Sequence, residues 1–174
     1  MTTSEQAAAG ERADLLAALA KGRYFLRYTV RDLTDEQAAQ RTTASELCLG
    51  GLIKHVTLTE RQWMSFIAEG PTAMGGGAGE GDYSDWLAGF RMLPGETLAG
   101  VLGLYEQVAE RTDEFVAALP DLDISHPLPD APWFERGARW SARRVLLHVI
   151  AETAQHAGHA DILRESLDGA KSMG

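Results

Sequence analysis

Apolar residues recur at helical spacing along most of the chain. In the first segment Leu15, Leu19, Leu26, Val30 and Leu33 follow one another at intervals of three, four and seven residues, with charges between them. This is the pattern of an amphipathic helix, and it runs out near Asp32-Leu33. Thr34-Asp-Glu-Gln37 then has the Thr-x-x-Gln form of a capping box and starts a short helix. Ser45 is the expected N-cap of the next long helix, with Glu46 near its positive end. That helix carries Leu49, Leu52, Ile53, Val56, Trp63, Phe66 and Ile67.

From Gly70 to Gly81 the pattern dissolves into a glycine-rich stretch, expected to be a flexible loop. Residues 82–90 suit a short helical piece. Pro94 fits the first turn of a third long helix, whose seam is Leu98, Val101, Tyr105, Val108, Thr112, Phe115 and Leu119. Pro120, Pro127, Pro129 and Pro132 interrupt the next stretch. Ser141 can cap a last helix running to about Leu167, and Gly169 can end it. Strand signals are nearly absent, and no repeat of solenoid length is present. Four comparable seams predict an all-α four-helix bundle with irregular connections, one domain over residues 1–174.

Composition narrows the function classes. Sixteen Lys and Arg against 25 Asp and Glu give a net charge of −9. Duplex nucleic acid and anionic membranes are poor partners for such a chain, and no apolar run is long enough for a membrane span. The first residues have neither the basic nor the apolar part of a signal peptide, so a cytoplasmic location is expected. The single cysteine, Cys48, excludes an internal disulfide and any multi-thiolate zinc site. Thirteen of the sixteen basic residues are Arg, a bias that hints at a GC-rich genome.

Histidine is scarce, yet three of the five lie within twelve residues of the last helix. At about 100° per residue, His148, His159, Glu152 and His156 fall within a sector of about 80° that also holds Val145 and Leu163. Ionisable groups along an apolar stripe need a partner or a metal. Glu152 and His156, one turn apart, have the spacing at which two side chains grip one cation. A third ligand must come from another helix, and His55 is the only histidine in the second long helix. Three ligands leave a coordination position open, and imidazole with carboxylate suits Zn²⁺, Ni²⁺ or Fe²⁺. The plainer reading of the same residues is a core histidine beside an i,i+4 ion pair.

The other candidates carry weaker signals. His148 reads best as a core histidine or one that supports the ligands. His159 can be a fourth ligand, a donor behind the ligands or a general base, the middle role being favoured. His126, among prolines and acids, is expected at the surface. Cys48 lies about 10 Å along the helix from His55, too far to share an ion, and reads as a small core residue. Thr59, Gln62 and Phe66 are candidate pocket walls around His55, and Trp133 and Trp140 candidate covers. The glycine stretch contains no Lys-Ser/Thr pair, so it is no phosphate loop, and Gly-x-Ser-x-Gly is absent.

Three stretches also carry a family resemblance: Ser45-Glu-Leu-Cys-Leu-Gly-Gly-Leu-Ile-Lys-His55, Thr59-Glu-Arg-Gln-Trp63, and Glu152-Thr-Ala-Gln-His-Ala-Gly-His-Ala-Asp-Ile-Leu-Arg-Glu165. With Leu33-Thr-Asp-Glu-Gln37 they resemble the DinB-like metal-binding bundles, in the manner of a largely actinobacterial branch. Wider relatives include mycothiol-dependent maleylpyruvate isomerase and bacillithiol transferases. The resemblance implies a divalent metal held by His55, Glu152 and His156. It also implies transfer of a small thiol, mycothiol in an actinobacterial source, to a small electrophile; homodimers are common among such proteins. Two features depart from the pattern. Glu152 stands where a histidine is usual, and Ala-Gly-His159 stands where Arg-Gly-Gln follows the last ligand. The isomerase carries a second domain that these 174 residues do not include, so its reaction is not the one implied. Hydrolysis by the same centre, and a non-catalytic metal-stabilised or dimeric binding module, are the competing functions.

Overall fold

The computed structural model describes residues 3–74 and 88–172, with side chains from Gly10 onward. Its elements in chain order are α1 (Thr3–Tyr28), α2 (Asp35–Ala39), α3 (Leu49–Glu69), a 3₁₀ turn (Pro71–Met74), α4 (Leu98–Ala118), β1 (Ser125–Pro127), β2 (Arg139–Ser141) and α5 (Ala142–Asp168). α1 lies along α5, α3 packs on both α5 and α4, and α4 closes back on α1. The result is the expected ring of four long helices.

The seams behave as the spacing predicts. Leu15, Leu19 and Leu26 of α1 are buried, as are all seven apolar residues picked out in α3. In α4 the buried residue near the C-terminus is Val116, and Phe115 is only half-buried. Two apolar clusters result. One gathers Leu15, Leu19, Trp63, Phe66, Val116 and Val149, the other Leu26, Leu52, Ile53, Tyr105 and Leu163. Between them runs a buried polar belt of Arg23, Thr57, Glu60, Thr112 and Thr153. The Arg23 guanidinium donates to both Glu60 carboxylate oxygens at 3.1 and 2.5 Å and to Asp113 Oδ1 at 2.8 Å.

Helix ends account for most departures from the sequence reading. The Thr34 capping box forms as expected. Ser141 accepts from the Arg144 N–H, and Gly169 ends α5 in the left-handed conformation. Ser45, however, is not the N-cap of α3. Its hydroxyl accepts from the Leu47 N–H in a local turn, and the helix starts after Cys48. Likewise α4 begins after Pro94, at Leu98, because the Thr97 side chain caps it by accepting from Gly100 N–H. α1 ends at Tyr28, and a turn through Asp32 (φ 59°) carries Val30 into the core. Arg164 of α5 fixes this turn by donating to the carbonyls of Thr29 and Arg31 at 2.8 and 2.7 Å.

The proline-rich connection contains an antiparallel pair, β1 with β2, in register His126 opposite Trp140. These short strands went unread in the sequence because three residues are too few for a period-two pattern. Of the glycine-rich stretch, Gly70 and the 3₁₀ turn lie within the described residues; the expected loop over 75–81 and the helical piece over 82–87 lie outside them. Among the described residues no helix is long and apolar enough to cross a membrane.

Candidate metal centre

α3 and α5 run antiparallel, which brings His55 opposite His156. The ligand atoms of His55, Glu152 and His156 all lie within 4.8 Å of one another. His156 Nε2 is 3.6 Å from Glu152 Oε2, and the His55 and His156 rings meet edge to face with centroids 4.8 Å apart. All three are half-buried at the α3–α5 seam. The sequence placed Glu152 and His156 on one stripe of the last helix and His55 on the second long helix, and the fold brings the three together.

Their chemistry fits a small divalent cation. Two donors at tetrahedral bonds of about 2.1 Å stand about 3.4 Å apart, close to the His156–Glu152 separation already present. Side-chain rotation of about an ångström would close the rest. Burial, with the charge of His156 adding, lowers the His55 pKa to about 4. Burial also lowers His156, against the pull of Glu152. Both imidazoles are therefore neutral near pH 7, the form that binds metal. Glu152 has no Lys or Arg ion-pair partner among the described residues; its only one is His156.

Around this set the structure sorts the remaining candidates. His159 Nδ1 lies 3.4 Å from His156 Nδ1, behind the face that meets Glu152. His148 is one turn before Glu152, packed edge-on against Trp63 and Trp140 at 4.9 and 5.1 Å, and burial lowers its pKa. Trp140 stacks on Trp63, whereas Trp133 is 70% exposed. Cys48 is buried, with its thiol 3.8 Å from the Phe90 carbonyl.

Gln62 donates to the Met74 carbonyl at 3.4 Å. Two expectations need correction. Phe66 is not a pocket wall: it is 1% exposed, in the core beside Trp63 and His126. His126 is not a surface residue: it is half-buried, with Nε2 3.1 Å from the Ile67 carbonyl. The strand pair pins it there, a contact invisible to a reading that saw only its polar neighbours.

One neighbour of the centre was missed altogether. Phe90 stacks on His55 with ring centroids 3.9 Å apart and planes 19° apart, and lies 6.3 Å from His156. The segment that carries it presses onto the first turn of α3. A Cβ on Gly51 would fall inside the Phe90 carbonyl, and one on Gly50 would collide with Met92. Two adjacent glycines opening a helix were the available sequence signal.

In comparisons with known proteins, the model of the Mycothiol-S-transferase family matches residues 14–169. No curated protein matches the chain.

Proposed function

Because the chain belongs to the mycothiol-S-transferase family, we propose that it transfers a low-molecular-weight thiol of the mycothiol type to a small electrophile. In this reading His55, Glu152 and His156 hold a divalent cation, with Zn²⁺ or Ni²⁺ favoured by the donors and Fe²⁺ compatible. The observation that carries it is the convergence of three neutral or anionic donors from two helices. Bound there, such a cation would lower the pKa of a neighbouring thiol and make thiolate available near neutral pH.

The chain's own residues supply the rest. His159 Nδ1 lies 3.4 Å from His156 Nδ1, while His156 Nε2 faces Glu152; a proton shared between the two Nδ1 atoms would hold the His156 tautomer that leaves Nε2 free for the cation. In that arrangement His159 supports a ligand. Glu152 brings the negative charge that offsets part of a divalent ion. The half-buried position of all three donors limits competing water.

The test is metal analysis of protein purified without added ions, followed by thiol-transfer assays. The parent protein is expected to carry close to one equivalent of metal and to consume a small electrophile only when mycothiol is present. His55→Ala/His156→Ala is expected to lose both properties. A metal-free parent would overturn the cation. Consumption of an ester without any thiol would instead select hydrolysis, and no turnover of any acceptor a binding module.

A further inference from the structure

The segment from Phe90 to Glu96 is held on α3 by contacts that converge on one consequence. Lys54 Nζ donates to the Arg91 carbonyl at 3.3 Å and pairs with Glu96 Oε1 at 2.7 Å. Glu96 Oε2 in turn accepts from the Leu93 N–H at 2.7 Å. Arg91 pairs with Glu46 at 2.8 Å, and Met92 packs into the apolar cluster beside α2. The glycine pair at 50–51 lets the segment seat this deeply. From that seat the Phe90 side chain reaches the candidate metal centre.

We propose that Phe90 is the positioning residue of this centre, locking the plane of the His55 imidazole. The inference rests on the three donors holding a cation. An imidazole nitrogen offers its lone pair within the plane of its own ring, so the ring's rotation decides whether that lone pair is directed toward the other two donors. Phe90 covers one face of His55 and blocks rotation to that side, while the edge of His156 stands on another. The lone-pair nitrogen is thereby kept toward α5. The same ring removes water from that face of His55, and Lys54 acts as the latch that holds it in place.

Two readouts test this on the full chain. The first needs no metal: the rate at which diethyl pyrocarbonate modifies His55 in chelator-treated protein, read by peptide mass spectrometry. Phe90→Ala should raise that rate several-fold and leave the His126 rate unchanged, while Phe90→Tyr keeps the parental rate. The second is Co²⁺ affinity and visible absorption. Here Phe90→Ala should weaken binding by about tenfold, the low end for residues that orient a ligand, and alter the spectrum, with Phe90→Tyr restoring both. Lys54→Met keeps both ring side chains but releases the segment that seats Phe90, and should move each reading the same way by a smaller factor. Parental His55 rates and Co²⁺ affinity in Phe90→Ala would overturn the proposal. A parent protein that takes up no Co²⁺ would overturn the cation reading instead, and the His55 rates would then decide the role of Phe90 alone.

Discussion

Gly51→Ala is expected to destabilise a helix that the same substitution would ordinarily strengthen. Alanine in place of a helical glycine gains about 0.5–1 kcal/mol, through reduced chain entropy in the unfolded state. At Gly103 in α4 a Cβ meets nothing within 4 Å, so Gly103→Ala should show that gain, a rise in Tm of about 1–4 °C at this chain length. At Gly51 the Cβ lands inside the Phe90 carbonyl and 2.9 Å from the Arg91 nitrogen. Ordinary contact lies near 3.5 Å, so even the outermost of these backbone atoms must retreat by about half an ångström.

The segment cannot retreat freely, because Lys54–Glu96 and Arg91–Glu46 tie it down. Overpacking of this kind costs about 1–3 kcal/mol. The helical gain offsets at most about 1 of it, leaving a net loss of up to about 2 kcal/mol. Urea unfolding of metal-free protein by far-ultraviolet circular dichroism, run on both variants, measures the difference in sign. If Gly51→Ala proves as stabilising as Gly103→Ala, the seat of the 90–96 segment on α3 is wrong.

The buried histidines predict a pH dependence. Each titrates near 6.5 when unfolded, whereas burial holds His55 at about 4 and lowers His148 and His156. The unfolded chain therefore binds more protons between these limits, so stability is full above about pH 6.5 and falls as pH drops toward 4. Solvent access to His55 reduces its share to about 1–2 kcal/mol. Urea midpoints at pH 7.5 and 5 should differ less in metal-free His55→Gln than in the parent, and equal differences would refute the assignment. In the polar belt, Glu60→Gln should cost about 3 kcal/mol by leaving Arg23 short of its buried partner. Asp113→Asn, at a side chain 47% exposed, should cost under about 1; similar losses would contradict that picture. The Tyr105 hydroxyl is buried without a hydrogen-bond partner among the described residues, so Tyr105→Phe should stay within about 0.5 kcal/mol of the parent. A loss above about 1.5 in the same unfolding assay would mean that the hydroxyl has a partner after all.

What the sequence disclosed was whatever repeats at a fixed spacing. The α3 seam is legible because seven large apolar residues share a face, and Glu152 and His156 because they stand one turn apart. Local caps were half legible. Thr34, Thr97, Ser141 and Ser45 are chemically alike, but only tertiary packing decides which hydroxyl faces a helix end. The Ser45 hydroxyl instead bonds inside its own turn. Phe90 and Lys54 were out of reach, since their contacts tie α3 to residues 35 to 42 positions further on, across a stretch of sequence with no periodicity. Arg23 and Glu60 were hidden differently. Each sits on a buried face, between Leu19 and Leu26 and between Val56 and Trp63, where apolar counting passes over a charge.

That hidden pair bears on why the centre can exist. His55 and Glu60 lie about 140° apart around α3 at 100° per residue, so one helix serves two polar sites on different flanks. Toward α1 and α4 the charges close on themselves: Glu60 is fully buried and receives two hydrogen bonds from Arg23. Toward α5 they do not. Among the described residues Glu152 pairs only with His156, whose pKa is lowered by burial, and with no Lys or Arg. A bundle that matches its fully buried carboxylate with a guanidinium and leaves this half-buried one to neutral imidazoles has a local deficit of positive charge, the deficit that the proposed cation would fill. Because the two sites share no side chain, the ligands can be removed without opening the Arg23–Glu60 pair. His55→Ala/His156→Ala should accordingly keep the parental helix content while losing metal. A coincident loss of both would show that the centre and the belt are one structural unit.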